Sequence, residues 1–414
     1  MLISTDAFPP ECGGSGWSAY ELVKGLRTRG HDVVVVQPSF GGSTPGSRNY
    51  NGVEVLEFRS RAYDVPVVRA YMKSERLGVT LSRYLQELIE REQIDLIHAQ
   101  HALTGPPSVR AARQTQRPVI CTVRDYWPIC YWGDLRFDET GATLCPACSV
   151  GMMTRCVRPR SGALWPLALG VIPYMRRNLS TKRSALGHAD AVVAVSGAIA
   201  RDLKNRCPEI GATRLETIPN MVDLESIEHA VASAKRPLDV PYAVYVGKLS
   251  ANKGSGLLPE VIERAALSWP LVVIGDGPER ASLEAATRSR RPSVRFTGWL
   301  PRESVWQWVG HANLLIFPSR GPESLSRVLL EASALGVAVA AMDTGGTSDI
   351  LTHNESALLS STADELADHV RHLVSDHSLR DRLGANARRV ITERFAAPIV
   401  LDRIEALYRS LVPS

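Results

Sequence analysis

No stretch of this 414-residue chain is apolar for long enough to cross a membrane as a helix. Such a span needs about 20 apolar residues. The longest candidate, Ala163–Met175, is shorter and is broken by Pro166 and Pro173. The opening residues, MLISTDAFPPECGG, lack the basic start and long apolar core of a secretory signal, so a cytoplasmic protein is expected. Lysine is scarce, with seven residues against 41 arginines. Acid is almost missing from residues 151–200, where Asp190 faces seven basic side chains. The other 364 residues hold 41 basic and 42 acidic groups, so the formal net charge of +5 belongs to that one stretch. This argues against a broad basic face for nucleic acid and for one local patch. Cysteine is too sparse for a disulfide-stapled secreted domain. Five of the seven nevertheless fall between Cys121 and Cys156.

What is present is an alternation of short apolar runs with helical patterns. A first series of strand-like runs comprises Met1–Ser4, Val33–Gln37, Ile94–His98, Val119–Val123 and Ala191–Ser196. A second comprises Tyr242–Val246, Leu271–Ile274, Ser293–Phe296, Leu314–Phe317 and Val337–Ala341. Helical periodicity lies between them, as in Gly16–Arg29, Leu77–Glu92 and Arg327–Leu335. Apolar strands alternating with helices predict parallel sheets covered on both faces. Two series predict two such domains, joined through Thr217–Val240. In sheets of this kind ligands bind beyond the carboxyl ends of the strands, so the loops after the strands carry the functional argument.

Three loops stand out. Pro9–Gly16 runs through Gly13 and Gly14 into a helix; glycines admit close approach, and a helix N-terminus attracts anions. A tight turn without a ligand would look the same. Val246–Gly254 sets Gly247, Lys248 and Lys253 behind a strand, and two mobile ammonium groups there suit a diphosphate. After Leu314–Phe317 comes PSRGPESLSRVLLEA. Pro322 and Ser324 predict a helix start there, with the amides of Ser324, Leu325 and Ser326 free for phosphate. Glu323 sits at the mouth as an acceptor for sugar hydroxyls. Glu331 lies about two turns further on among apolar neighbours and needs a buried partner, for which a ribose diol would serve.

The string PS-(x3)-ES-(x6)-LEA-(x2)-LG-(x9)-GG resembles the family 4 retaining glycosyltransferases. So do VGKLSANKG, IGDGPE, FTGWL, IPNMVD and the N-terminal GGSG. The resemblance implies a GT-B fold, two Rossmann-like doubly wound α/β domains facing a central cleft. It implies an acceptor-binding domain over residues 1–216, with an insertion at about 124–185, then a linker over 217–240. A nucleotide-sugar domain would occupy 241–397, and a last helix, 398–414, would cross back. Carried over, Glu323 with Ser324, Leu325 and Ser326 would bind the donor sugar, and Glu331 the ribose. Lys248, where the family usually has arginine, and Lys253 would hold the diphosphate, approached by Gly13 and Gly14. Gly247 would belong to the donor site, and Gly298 would lie near the base. The implied activity is retaining, metal-independent transfer from a UDP- or GDP-linked sugar to a lipid-linked or glycan acceptor, in cell-surface polysaccharide or glycoconjugate synthesis. A catalytically weak nucleotide-sugar-binding partner subunit and a transferase for soluble small acceptors are the alternatives.

One departure is Arg124, where the family often has histidine. Arginine is no base at neutral pH, so an anion-binding role is expected of it. Asp125, His98 and His101 are acceptor-side candidates, the histidines equally readable as packed. Cys130, Cys145, Cys148 and Cys156 have a spacing that suits a structural zinc site, disulfides or free thiols. Residues 151–185 interleave arginines with Trp165, Leu167, Leu169 and Ile172, a composition suited either to an anionic membrane surface or to a packed helix with solvated arginines.

Overall fold

A computed structural model describes residues 1–40, 46–61, 71–135, 144–288 and 292–412. They form two compact units. The first holds residues 1–135, 145–221 and the chain from Val400 on; the second holds Val222–Ile399.

The sheet of the first unit contains β1 (Leu2–Ser4), β2 (Val34–Phe40), β3 (Gly46–Tyr50), β4 (Val53–Ser60), β5 (Ile97–Ala99), β6 (Val119–Val123), β7 (Ala191–Ala194) and β8 (Arg214–Thr217). Their spatial order is β3-β4-β2-β1-β5-β6-β7-β8. All neighbours run parallel except β3, which folds back on β4. Asn51 and Gly52 make that hairpin turn, both at positive φ. An Asn-Gly pair favours this geometry because asparagine tolerates it and glycine has no side chain to oppose it. Strand order reverses between β1 and β5, which makes the carboxyl ends of that pair the switch point of the unit.

The second unit contains β9 (Ala243–Val246), β10 (Leu271–Ile274), β11 (Val294–Gly298), β12 (Leu314–Phe317), β13 (Val339–Met342) and β14 (Leu358–Ser360). The order is β11-β10-β9-β12-β13-β14, parallel throughout, with its switch point between β9 and β12. Every residue of β10 and β12 is buried, as expected of unbroken apolar runs inside a sheet covered on both faces. Each such side chain contributes about 1.5–3 kcal/mol of burial free energy. The segment predicted as a linker carries a helix of its own, Leu224–Ala232, whose N-terminus Asp223 caps by accepting from the Ser226 amide at 3.1 Å.

The last helix, Ala397–Leu411, presents Val400, Leu401, Ile404, Leu407 and Tyr408 as one buried stripe. That spacing follows the 3.6-residue helical repeat. From Val400 on it packs within the first unit. Leu401 fills the space a Cβ at Gly25 would need, at 2.6 Å. The Tyr408 hydroxyl lies 2.6 Å from His98 Nδ1, and Arg29 pairs with Asp402 and Glu405 at 2.6 and 2.9 Å.

Candidate functional site

At the switch point of the second unit the loops after β9 and β12 are laced together. Asn252 O accepts from the amides of Arg320 and Gly321, at 3.1 and 2.7 Å, and from Ser319 Oγ at 3.2 Å. Gly254 has φ +65°, and a Cβ there would lie 1.8 Å from Pro318 O, so only glycine lets the loops close. Across this seam Lys253 Nζ donates to Glu323 Oε1 at 2.7 Å, and Ser319 Oγ donates to the same carboxylate. Glu323 is buried, while about a third of the Lys253 side chain is exposed. The Thr344-Gly345-Gly346 turn closes over the back of Glu323. Gly346 N donates to Glu323 O at 2.6 Å, and a Cβ on Gly345 would lie 2.1 Å from that oxygen. Glu323 is therefore fixed from both sides and aimed before any ligand arrives.

Lys248 is exposed and makes no ion pair among the described residues. Gly247 sits beneath it, its carbonyl 2.0 Å from where a Cβ of Gly275 would stand. The helix after Glu323 begins later than predicted. It spans Arg327–Ala334, with Ser326 as N-cap. Pro322 and Ser324 do not open it, because the chain is still turning back toward Asn252 and the glycine pair at that point. The amides of Ser324, Leu325 and Ser326 nevertheless donate no hydrogen bond among the described residues. Gly298 ends β11 at φ +73°, its carbonyl accepting from Gly275 N at 2.9 Å, and Trp299 beside it is 65% exposed.

In the first unit the predicted residues separate. Gly13 caps the helix Gly14–Thr28, and a Cβ on it would touch nothing within 4 Å, so packing does not demand glycine there. Gly16 differs: its Cβ would meet Cys12 at 2.6 Å. His98 is no ligand-facing group. It is fully buried between Tyr408 and Thr122 Oγ1, each 2.6 Å away, and burial beside Arg124 pushes its pKa down to about 3. Arg124 turns inward as well, donating to Asn220 and Gln100. It lines a cavity of about 20 Å³, room for one water molecule. Its guanidinium is held by these two amide oxygens. His101 and Asp125, by contrast, lie at the carboxyl ends of β5 and β6, and Asp125 opens to solvent.

The cysteine cluster forms no ligand set: among the described residues no three His, Cys, Asp or Glu side chains are placed to hold a metal. Its thiols turn to local carbonyls instead, Cys145 to Ala147 O and Cys156 to Met153 O, each at 3.3 Å. Cys130 faces Asp134, and neither it nor Cys145, Cys148 or Cys156 is in a disulfide. Burial raises the pKa of Cys145, Cys148 and Cys156, the last to about 11.

The family profile described as Glycosyltransferase Family 4 matches residues 12–226, and that described as Glycosyl transferases group 1 matches residues 226–390. The chain belongs to glycosyltransferase family 4. Among relatives, a GDP-mannose-dependent alpha-mannosyltransferase of Mycolicibacterium smegmatis is 25% identical over 100% of this chain and 97% of its own length. An alpha-D-kanosaminyltransferase of Streptomyces kanamyceticus is 26% identical over 56% of this chain and 63% of its own. The fold matches sucrose-phosphate synthase of Thermosynechococcus elongatus at TM-score 0.73, with 20% identity over 99% of this chain and 98% of that one. It matches Anabaena HepE in complex with UDP at 0.70, with 16% identity over 99% of each. The two parallel-sheet units are those of the GT-B fold.

In this family 4 glycosyltransferase the partner of Glu331 differs from the one expected. Its Oε1 accepts from Arg302 at 3.0 Å and from Arg327 at 3.1 Å. Burial raises the Glu331 pKa, but the two guanidinium groups outweigh it and leave the pKa below the usual carboxylate value. Arg327 stands four residues before Glu331, a readable helical pair. Arg302, from another helix, carries no such signal. Glu331→Gln should lower stability by about 3 kcal/mol, because it removes the carboxylate charge that the buried Arg327 and the part-buried Arg302 share. Because the folded-state pKa is depressed, the carboxylate stabilises the fold at neutral pH. That contribution is lost as pH falls through the folded value. Urea midpoints measured against pH should show this acid loss in the wild type and a smaller one in Glu331→Gln.

Proposed function

We propose that this chain is a retaining, metal-independent glycosyltransferase that moves a sugar from a UDP- or GDP-linked donor to an acceptor hydroxyl. The acceptor is a glycan or lipid-linked sugar of cell-surface polysaccharide or glycoconjugate synthesis. The observation that carries this reading is the Lys253–Glu323 pair at 2.7 Å, held between two loops at the switch point of the second unit. A diphosphate placed there meets Lys248, Lys253 and the unspent amides of Ser324–Ser326. Preorganised cations and amides stabilise the charge that develops as the sugar leaves, the role a divalent ion plays elsewhere. Glu323 accepts from the sugar hydroxyls, and Glu331 reaches the ribose from its arginine clamp. Trp299 offers an exposed ring face beside Gly298 for the base. The leaving phosphate oxygen takes the acceptor proton on the face it vacates, so retention needs no side-chain base, and Arg124 can stay internal. The names of the relatives, one GDP-mannose-dependent and one solved with UDP, support both nucleotides equally.

The basic segment supports a membrane-side acceptor. Between the helices Val150–Ser161 and Ile172–Gly187, Leu164 is 67% and Leu167 79% exposed. Arg155, Arg158, Arg176 and Arg177 flank this tip, and Arg158 lies over the Trp165 ring at 5.3 Å. Exposed leucines collared by arginine suit the headgroup region of an anionic bilayer.

A melting-temperature screen with UDP, GDP and ADP should give a clear rise with UDP or GDP, since a ligand of the folded state stabilises it. Glu323→Ala should keep that rise and lower sugar turnover at least a hundredfold. No rise with any nucleotide, or unchanged turnover, contradicts the reading. Sedimentation with phosphatidylcholine vesicles carrying phosphatidylglycerol should pull the protein down at low salt. Pure phosphatidylcholine should not, and Leu164→Ser with Leu167→Ser should weaken the effect without altering the nucleotide response. Equal sedimentation with both vesicle types contradicts the membrane reading.

A further inference from the structure

β14 is an outer strand of the second sheet, paired with β13 on one side and with no strand on the other among the described residues. An outer strand leaves a row of amides without a ladder partner. Here an imidazole takes one of them. The Leu359 amide donates to His353 Nδ1 at 3.0 Å, so the neutral ring carries its proton on Nε2. His353 stands in the loop before the strand, and that loop is tied down from elsewhere. Thr352 O accepts from the amides of Glu355 and Ser356 at 3.2 and 3.0 Å. Arg382 and Asn386, on the helix His377–Arg394, donate to Asn354 O and Glu355 O at 3.0 and 2.8 Å.

The next residue, Ser360, faces the donor side. Its carbonyl accepts from the Asp343 amide at 2.9 Å. Asp343 follows β13 directly and opens the turn whose Gly346 amide donates to Glu323 O at 2.6 Å. The contacts from His353 to Leu359, from Ser360 to Asp343 and from Gly346 to Glu323 therefore form one short series. A second imidazole stands beside the first. His369, on the helix Ala363–Ser375, has its Nδ1 at 2.8 Å from Ser360 Oγ, and its ring centre is 5.4 Å from that of His353. Burial lowers the His369 pKa and the neighbouring His353 lowers it further, while Glu365 opposes the shift and His372 adds to it. The remaining charged side chains about the pair are Glu355, in the loop of His353 itself, and Arg382 beneath Asn354. His353 is exposed, so protons reach it freely.

We propose that His353 is a positioning residue for Glu323: its neutral ring holds β14 against the turn that fixes Glu323, and a proton on that ring loosens the hold. The proposal rests on the transferase reading above, in which Glu323 grips the donor sugar, and makes that grip depend on pH. Histidine is the side chain whose charge changes between about pH 5 and 8. Protonated, Nδ1 becomes a donor and meets the Leu359 N–H head on, so that amide loses its acceptor. A cation also arrives beside His369. Both effects push the loop away from the strand. His353 is not a catalytic residue and acts only through β14 and the turn. Sugar turnover therefore falls as pH falls, while nucleotide binding by Lys248, Lys253 and the Ser324–Ser326 amides persists. Asparagine is the diagnostic replacement, since its Oδ1 accepts from an amide at every pH and takes no proton.

Turnover of UDP- and GDP-linked sugars by the full chain, followed from about pH 8 to about pH 5.5, tests this. At the alkaline end the wild type should match His353→Asn. At the acid end it should fall at least about threefold below that variant, in kcat rather than in KM for the donor. His353→Leu, which has no acceptor, should be slow at both ends. The melting shift with UDP or GDP should be the same in all three. Hydrogen exchange at the Leu359 and Gly346 amides, corrected for intrinsic rates, should quicken at acid pH in the wild type and not in His353→Asn. Parallel pH profiles for the wild type and His353→Asn overturn the proposal, and so does Gly346 exchange that His353→Leu leaves unchanged. A chain that turns over no nucleotide sugar, yet shows acid-quickened Gly346 exchange that His353→Asn abolishes, would overturn the transferase reading and leave the hold of His353 on the turn standing.

Discussion

The second unit depends on the closing of one seam. Two loops leave the parallel sheet at neighbouring strand ends, β9 and β12, and would otherwise splay. Asn252 O gathers three donors from the facing loop, and Lys253 reaches across to Glu323. The seam closes only because Gly254 and Gly345 present no Cβ where Pro318 O and Glu323 O pass. A lysine bonded to a buried carboxylate costs desolvation that a solvent-exposed pair would not. The cost is justified where the pair must stand in one place. An incoming diphosphate finds its cation already positioned, with little side-chain entropy left to lose.

Charge elsewhere follows the same logic of internal pairing against availability. Glu331 is clamped by two arginines, and the Arg124 guanidinium donates to two neutral amide side chains, so the protein itself fixes where both charges stand. Lys248 is the contrasting case, at the switch point of the second unit and held in no ion pair among the described residues. The scarcity of lysine in the chain makes its placement informative. A compact ammonium can be taken up by phosphate or hydroxyl oxygens without the fixed geometry a guanidinium imposes.

The sheets were legible wherever burial on both faces writes a continuous apolar run, as in Leu271–Ile274 and Leu314–Phe317. The edges were not. The β3–β4 hairpin was announced by Asn51-Gly52 and by the alternation in Val53–Phe58, a signal of period two hidden among parallel-strand runs. β14 is only three residues long, and β8, four residues long, begins with an exposed arginine, so neither writes an apolar run. Among site residues, Glu323, Lys253 and Glu331 could be read because they sit inside one short string beside its strand. The pairing of Arg302 with Glu331, the inward turn of Arg124 to Asn220 and the burial of His98 against Tyr408 join residues 29 to 310 positions apart. No local pattern encodes such contacts. The four cysteines lie near enough for Cys130 to act on Cys145, Cys148 and Cys156, but their spacing in sequence does not set how their thiols are aimed.

Hydrogen exchange with and without UDP or GDP tests the central claim most directly, because it reads out where a diphosphate acts rather than whether it binds. Slowed exchange confined to Val246–Gly254 and Pro318–Val328, including the amides of Ser324, Leu325 and Ser326, is the predicted result. Protection that leaves both loops unchanged while slowing exchange elsewhere would contradict it.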